Sequence, residues 1–296
     1  MTTATKPTTP TPASTSDSSI PWKRILLWLA IAFTIIFSLA PVLWQVLTSI
    51  KTNAAITADP TVYLPGPDQL TFSHYIDLFR EEHFHIYIIN SALVAVISTI
   101  LCLGLGSPAA YALARLRIPG ERLVLGAVLV VTLFPYILLF LGLLEIVRAL
   151  GLANNYLALI VPYTAINLPL TILVMRSFFQ QLPKDLEDSA KVDGYNTLQM
   201  LWQIVLPMTL PALVTTGILA FIFAWNEFLF ALTFMTRESM KTIPVAAAQL
   251  GATTLFEVPY GPLAASTVVG TFPLVLLVLF FQRRIVQGLT AGSVKG

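Results

Sequence analysis

Residues 86–116 read IYIINSALVAVISTILCLGLGSPAAYALARL, and this stretch holds no charged side chain before Arg115. A helix needs about 20 apolar residues to cross the hydrocarbon core of a bilayer. The stretch exceeds that length, and its apolar residues run on without the alternation that is typical of membrane barrel strands. It therefore predicts a membrane-spanning α-helix that tilts or continues beyond the bilayer.

Five further stretches come close to that length or exceed it. They cover residues 25–48, 123–146, 157–179, 209–234 and 264–281. The composition agrees, because 56% of the residues are hydrophobic and only 11% are charged, whereas a soluble domain carries roughly 25% charged residues. We therefore predict an all-α integral membrane protein with six transmembrane helices.

The positive charges predict how these helices are oriented, because cytoplasmic loops carry an excess of lysine and arginine. With six spans, few of the 17 lysines and arginines fall on the side opposite the amino terminus. Those few are Lys51, Arg80, Arg148, Arg237 and Lys241. Both termini are therefore predicted to be cytoplasmic.

Three regions follow from composition along the chain. Residues 1–20 are mostly Thr, Ser, Pro and Ala, which cannot bury enough apolar surface to order a segment, so they predict a disordered cytoplasmic tail. Residues 21–287 form the predicted membrane domain, and residues 288–296 form a predicted cytoplasmic carboxyl-terminal tail. The largest cytoplasmic loop lies inside the membrane domain, at about residues 181–207.

This loop begins with PKDLEDSAKVDG at residues 183–194, which predicts a short helix. Pro183 suits the first turn, and Gly194 can adopt the left-handed conformation that ends a helix. Glu187 and Lys191 stand four residues apart, a spacing that predicts an ion pair on the helix surface.

A second short helix is predicted over residues 197–205, with Asn196 as its cap. It should end at Leu206 and Pro207, because a residue before proline is pushed out of helical geometry. The loop is thus a predicted helix-turn-helix with acidic residues on one side. Its predicted apolar side carries Leu198, Leu201, Trp202 and Val205.

The loop resembles the EAA loop of the transmembrane subunits of bacterial ABC importers. That motif reads Glu-Ala-Ala, three residues, Gly, nine residues, Ile, one residue, Leu-Pro. The matching positions here are Asp188, Ser189, Ala190, Gly194, Ile204, Leu206 and Pro207. Aspartate and serine are the two departures. An ordinary structured connector would explain any one of these features, but not all of them at this spacing.

The resemblance implies that this loop docks in a groove on an ATPase subunit and carries its motion into the membrane. We assign that role to the matching positions and to the neighbouring Glu187 and Asp193. Further stretches resemble the maltose-type, six-span permeases of the carbohydrate branch. They lie at residues 90–91 (NS), 109–115 (AAYALAR), 119–120 (PG), 150–152 (LGL), 155–156 (NY), 168–169 (LP), 225–228 (WNEF) and 287–296.

Membership of this branch implies partners and a location. The partners would be a second permease subunit forming a heterodimer, two ABC ATPase subunits and an extracytoplasmic solute-binding protein. The chain would be a multi-pass protein of the bacterial plasma (inner) membrane. It would bind no cofactor itself, because ATP and Mg would be held by the ATPase subunits.

Four polar residues within the predicted spans are candidates for lining the solute path. Charged groups inside a bilayer are costly and tend to face a cavity or a partner, which singles out Glu227 and its neighbour Asn226. Asn90 and Asn167 could bond either a solute or neighbouring helices. For Glu227, a hydrogen bond between helices is the equally weighted alternative.

The solute is predicted to be a neutral sugar or sugar-like molecule, namely a disaccharide, oligosaccharide or glycosylated polyol. No lysine or arginine sits well inside a span, although the partner permease could supply a positive charge. Glycerol phosphate or another osmolyte therefore stays an alternative. A stand-alone secondary transporter or channel is a different class, and it would need ion-coupling acids at mid-membrane or an internal repeat.

Other chemistry lacks its sequence signature. The chain has no Gly-x-x-x-x-Gly-Lys-Ser/Thr loop for nucleotides, so it is not expected to be an enzyme that hydrolyses ATP. Residues 81–85 (EEHFH) lack the histidine spacing of zinc proteases, and no metal site is predicted. A net charge of +2 without basic clusters gives no sign of a nucleic-acid partner.

Overall fold

The computed structural model describes residues 21–116, 118–250 and 259–291, without the side chains of Pro21 and residues 283–291. Its regular elements are helical, as predicted, and an isolated bridge joins Lys51 to Leu70. In chain order the α-helices are α1 (Pro21–Ser49), α2 (Asn53–Ile56), α3 (Ser73–Arg80), α4 (Phe84–Arg115), α5 (Glu121–Leu133), α6 (Phe140–Ala149), α7 (Leu157–Gln181), α8 (Lys184–Val192), α9 (Thr197–Met200), α10 (Leu206–Met208), α11 (Leu210–Asn226), α12 (Leu229–Phe234), α13 (Ile243–Leu250) and α14 (Tyr260–Ala291).

Four of these helices are long and apolar enough to cross a bilayer, namely α1, α4, α7 and α14. Two bent pairs raise the number to as many as six among the described residues. In the first, α5 meets the Tyr136–Ala149 segment at 90°; in the second, Thr197–Met208 meets α11 at 84°. The six predicted stretches are therefore helical, but the third is bent, and the fifth is divided between α11 and α12.

The third stretch breaks at Pro135. Phe134 and Pro135 are both extended, and a 3₁₀ turn over Tyr136–Leu139 leads into α6. Proline has no N–H to donate and pushes the preceding residue out of helical geometry, which explains the break. Other prolines do not end their helices, because α7 continues through Pro162 and Pro169 and α14 through Pro273. Membrane helices tolerate proline where neighbouring groups satisfy the freed carbonyls.

The fifth stretch breaks at Glu227. Helix α11 ends at Asn226, Glu227 has an extended backbone, and α12 starts again at Leu229. The break places the Glu227 carboxylate where a continuous helix would have formed its backbone hydrogen bonds.

The contacts divide the chain into two units, residues 1–45 and 46–296. The described part of the first unit is an apolar helical segment of α1 with Pro41 inside it. In the second unit, α4 and α7 share the most extensive contact between helices.

Two apolar clusters lie toward opposite ends of α4 and α7. One gathers side chains from the amino-terminal halves of both helices with those of α12 and α13; it includes Phe84, Leu159, Tyr163, Phe230 and Val245. The other joins the carboxyl-terminal halves to residues of the 181–207 loop; it includes Tyr111, Met175, Phe179, Leu201 and Val205. The predicted boundary of the carboxyl-terminal tail at residue 288 falls inside α14, while residues 1–20 and 292–296 lie outside the described part of the chain.

Between the two clusters, α4 and α7 approach closely at Gly106. A Cβ at this position would lie 2.6 Å from the Cγ2 atom of Thr171. The Thr171 hydroxyl donates to the carbonyl of Asn167 at 2.9 Å, which fixes the side chain that a new methyl group would meet.

We expect Gly106→Ala to destabilise the protein by about 1–3 kcal/mol, because overpacking forces the two helices apart. Gly104→Ala on the same helix is the matched control, since a Cβ there meets nothing within 4 Å. It should leave the stability unchanged or raise it by up to about 1 kcal/mol. Thermal unfolding of both purified variants in detergent checks this, and equal midpoints would contradict the close approach.

Candidate functional site

The turn in the 181–207 loop forms around Gly194. Its φ of +84° lies in the left-handed region, where glycine carries no steric cost. The N–H of Gly194 donates to Lys191 O at 3.1 Å, and that of Tyr195 donates to Ala190 O at 3.0 Å. These two bonds are the Schellman pattern at the end of α8, so the predicted helix stop at Gly194 is confirmed. Pro183 is the residue just before α8 rather than part of its first turn.

The second half of the loop begins with a capping box. Gln199 N donates to the Asn196 side chain at 2.8 Å, and Asn196 N donates to the Gln199 side chain at 3.0 Å. The predicted cap at Asn196 is therefore confirmed. The two reciprocal bonds fix the direction in which α9 leaves the turn.

The predicted end of this helix at Leu206 and Pro207 was wrong. Leu206 is helical, and helical structure continues to Met208. A π turn over Leu201–Val205 precedes it, and Leu206 N donates to Leu201 O. Proline has no N–H to place in a regular ladder, and the wider turn absorbs this defect without ending the helix.

The carboxylate of Glu187 pairs with Arg115 at the end of α4. Arg115 Nε lies 2.9 Å from Glu187 Oε1, and the two side chains are only 7% and 11% exposed. The predicted Glu187–Lys191 pair was wrong, because α8 turns Glu187 inward. Lys191 instead pairs with Asp188 on the surface, at 3.1 Å.

The positions matched to the motif divide into an exposed and a buried group. Asp188, Ser189, Asp193, Gly194 and Pro207 are exposed, Ile204 is half-buried, and Glu187, Ala190 and Leu206 are buried. The predicted apolar side also divides. Leu201 and Val205 are buried in the cluster with Phe179, whereas Leu198 and Trp202 are exposed together with Val192.

Among the residues predicted to line a solute path, Asn90 is buried and fully engaged. Its amide donates to Ser239 O at 3.0 Å and to Lys241 O at 2.8 Å, and its oxygen accepts from Tyr156 at 2.7 Å. The neighbouring Ser91 accepts from Ile243 N at 2.9 Å. Asn90 therefore fastens the segment before α13 to α4, which is the packing role weighed against solute binding.

Glu227 is buried at the break between α11 and α12. Its carboxylate accepts from the N–H groups of Phe230 at 3.0 Å and Ala231 at 3.2 Å, and thus caps α12. It also accepts from the hydroxyl of Tyr163 on α7. The carboxylate satisfies backbone groups that the break in the helix would otherwise leave free.

Asn167 and Asn226 bond within their own helices. The Asn167 amide donates to Tyr163 O at 2.8 Å and is buried. The Asn226 amide donates to Ile222 O at 2.8 Å, and its side chain is exposed. Asn226 is thus the accessible member of the four candidates, and the structure does not gather them into one cluster.

A small polar cavity lies beside the segment that Asn90 holds. Its volume is about 280 Å³, and Glu82, Tyr87, Glu238, Lys241 and Gln249 line it. Lys241 and Tyr87 both donate to the carboxylate of Glu238, and these bonds hold the pKa of Glu238 below its ordinary value. Across residues 21–116, 118–250 and 259–291, no three His, Cys, Asp or Glu side chains form a group that could hold a metal ion.

The comparison with known families agrees with the loop geometry. The family described as "Binding-protein-dependent transport system inner membrane component" matches residues 102–291, which include α7, the 181–207 loop and α11. The chain belongs to this family. It is therefore a membrane-embedded permease component.

Several relatives of this permease have assigned transport systems. It is 41% identical over 275 residues to a trehalose transport system permease protein of Mycobacterium tuberculosis, covering 93% of this chain and 99% of the relative. It is 39% identical over 271 residues to a sulfoquinovosyl glycerol transport system permease protein of Agrobacterium fabrum, covering 92% and 94%. A trehalose/maltose transport system permease protein of Thermococcus litoralis is 38% identical over 276 residues, with 93% and 98% covered.

Solved structures support the permease fold. The chain superposes with a TM-score of 0.77 on a chain in the crystal structure of a bacterial ABC transporter involved in the import of the acidic polysaccharide alginate. The two are 24% identical, and the match covers 90% of this chain and 97% of the other. A chain of an inward-facing methionine ABC transporter gives a TM-score of 0.54 at 17% identity, covering 68% and 94%.

We expect Glu227→Ala to destabilise the permease by about 2 kcal/mol or more. The change removes a helix cap, which costs about 1 kcal/mol, and leaves the buried Tyr163 hydroxyl unpaired, which costs about 1–3 kcal/mol. Asn226→Ala is the adjacent control and should stay within about 0.5 kcal/mol of the wild type, because its side chain is exposed. Unfolding midpoints in detergent measure both, and an equally small effect at the two positions would refute the capping role.

Proposed function

We propose that this permease is one of two channel-forming subunits of a binding-protein-dependent ABC importer for a neutral sugar or sugar-like solute. The family match supports the importer subunit, and the relatives with trehalose and maltose transport systems support a neutral sugar. The same match favours an importer subunit over a stand-alone transporter or channel, and a transport role over an enzymatic one.

We propose that the 181–207 loop couples this subunit to an ATPase. Its Gly194 turn and capping box give it a fixed shape, and its exposed face carries Asp188 and Asp193 beside the exposed apolar side chains of Val192, Leu198 and Trp202. Apolar side chains rimmed by charge are typical of a protein interface. One observation carries this proposal: the residues at the motif spacing form a hydrogen-bonded turn that is buried on its inner side and exposed on its outer side.

The proposed assembly contains a second permease subunit as a heterodimeric partner, two ABC ATPase subunits and an extracytoplasmic solute-binding protein. ATP and Mg are held by the ATPase subunits. The proposed location is the bacterial inner membrane with both termini in the cytoplasm. The excess of lysines and arginines on the side of the amino terminus, counted for six spans, supports this orientation.

A neutral solute is supported by the position of the positive charges. Arg115, Arg148 and Arg176 lie toward the ends of their helices, and Arg115 and Arg176 are already paired with carboxylates. An anionic solute would favour an unpaired cation along its path. Asn226 is the proposed path residue of this subunit because its side chain is exposed beside the break, Glu227 braces that broken helix, and Asn90 and Asn167 support the path by packing.

The substrate class can be tested with the assembled importer in vesicles that contain ATP. We expect uptake of labelled trehalose or maltose that requires ATP and the solute-binding protein, and little uptake of glycerol 3-phosphate. Preferential uptake of glycerol 3-phosphate would move the assignment to the phosphate-ester class. Uptake without any ATPase subunit would refute the importer assignment.

We expect Gly194→Leu to lower ATP-driven uptake by about tenfold, since a cost of 1.4 kcal/mol corresponds to tenfold in an equilibrium constant. A side chain at φ +84° is strained by about 1–2 kcal/mol, and leucine adds bulk to the proposed docking face. Gly120→Leu is the control, because Gly120 also has a left-handed φ, +79°, and open space around its Cβ position. Equal uptake by the two variants would count against docking at Gly194.

A further inference from the structure

The end of α4 reaches the corner between α7 and α8 through a single guanidinium group. Arg115 is the last residue of α4, and its Nη2 atom donates to Phe179 O at 2.7 Å and to Leu182 O at 2.5 Å. Its Nε atom lies 2.9 Å from Glu187 Oε1, an ion pair by distance without hydrogen-bond alignment. Three helices therefore meet at one buried side chain.

Each of these contacts suits the place where it occurs. The last carbonyls of a helix lack partners within the helix, and a cation is favourable at a helix carboxyl terminus. Arg115 supplies both a hydrogen-bond donor and a positive charge at the end of α7, where Phe179 and Leu182 lie. Glu187 is in the first turns of α8, where an acidic group is favourable. The planar guanidinium holds its donors in a fixed fork, so that one nitrogen reaches both carbonyls while Nε lies beside Glu187, whereas a lysine would place a single ammonium on a flexible stem.

A second arginine joins α4 and α7 but does not reach the loop. Arg176 on α7 donates to Leu113 O on α4 at 3.1 Å and pairs with Glu121 on α5 at 2.8 Å. The side chains of Arg176 and Glu121 are 23% and 32% exposed, so this pair is less buried than the one at Arg115. Arg115 on α4 thus donates to α7, and Arg176 on α7 donates to α4. Of the two arginines, only Arg115 also contacts α8.

Burying an ion pair is a costly way to gain stability, because desolvation can exceed the attraction between the charges. Apolar packing of Ala190, Val205 and Leu206 already covers the base of the loop. Packing of this kind permits small sliding movements, whereas the two carbonyl bonds orient the guanidinium and its attraction to Glu187 opposes separation of α8 from it. The Arg115–Glu187 pair therefore holds α8 in one position relative to α4, at a contact where packing alone would let α8 slide.

We infer that Arg115 is the positioning residue through which displacement of α8 reaches the ends of α4 and α7. This inference rests on the proposed function, because it assumes that an ATPase subunit moves α8. When α8 moves, the guanidinium makes α4 and α7 follow as one body. Without the pair, α8 slides on its apolar base, and ATP is hydrolysed with less solute moved.

The test measures solute transported per ATP hydrolysed by the assembled importer, using the disaccharide that the wild type takes up. We expect Glu187→Gln, Arg115→Met and the double variant to lower this ratio by about fivefold or more, the lower end of typical coupling between sites. Glu121→Gln, which breaks only the Arg176 pair, should stay within about twofold of the wild type by the same measure.

The double variant separates positioning from stability. Glu187→Gln alone leaves a buried, unpaired guanidinium and should lower the unfolding midpoint, whereas removing both charges should recover part of it. The transport ratio should stay low in the double variant. Recovery of the ratio together with stability, or an equal loss in Glu187→Gln and Glu121→Gln, would overturn the inference.

A distance measurement provides a readout that does not depend on the solute. Spin labels at the exposed Asp185 and Leu116 would report the separation of α8 from the end of α4, and the buried Cys102 should not react. We expect the same distance with and without ATP in the wild type and in Glu121→Gln, and two different distances in Glu187→Gln. If the distance in Glu187→Gln does not change with ATP, the positioning role of Arg115 is refuted. A wild type without ATP-driven uptake would refute the proposed function instead.

Discussion

The hydrocarbon core of a bilayer offers no hydrogen-bond partner, so each backbone group must be satisfied within the protein. This constraint favours helices in the membrane. A break within a membrane helix leaves backbone N–H and C=O groups without partners, and a side chain can satisfy them. Glu227 fills that need between α11 and α12, and Arg115 does so at the end of α7. In the 181–207 loop, outside the predicted spans, the π turn before Pro207 accommodates the missing N–H of proline with backbone alone. The role of Glu227 is thus first of all to satisfy the backbone groups at a broken helix.

Helix α4 is the element through which the two ends of the second unit are connected. At its amino-terminal end, Asn90 and Ser91 bond the segment that leads into α13. At its carboxyl-terminal end, Arg115 binds the corner of α7 and α8. Its middle packs against α7 at Gly106 without room for a Cβ atom. A helix fixed at both ends and closely packed between them is suited to carry a displacement along its length.

Membership of the permease family gives these features a common purpose. The proposed docking surface is the exposed side of the 181–207 loop, whose shape is held by the Gly194 turn and the Asn196 cap. Apolar side chains also remain exposed along α5 and α6, among them Leu123, Leu133 and Leu141. Such surfaces require cover by lipid or by another protein, which agrees with a chain that works inside a larger membrane assembly.

The sequence alone determined the helical membrane class, the Gly194 stop and the Asn196 cap, because hydrophobicity and end signals act over a few neighbouring residues. It could not determine which partner each buried polar group takes. Glu187 pairs with Arg115 rather than with Lys191. Glu227 accepts a hydrogen bond from Tyr163, 64 residues away in the chain, and Asn90 donates to Ser239, 149 residues away. Only the packing of the helices decided these pairs, since burial makes an unpaired polar group costly and the nearest partner in space is not the nearest in the chain.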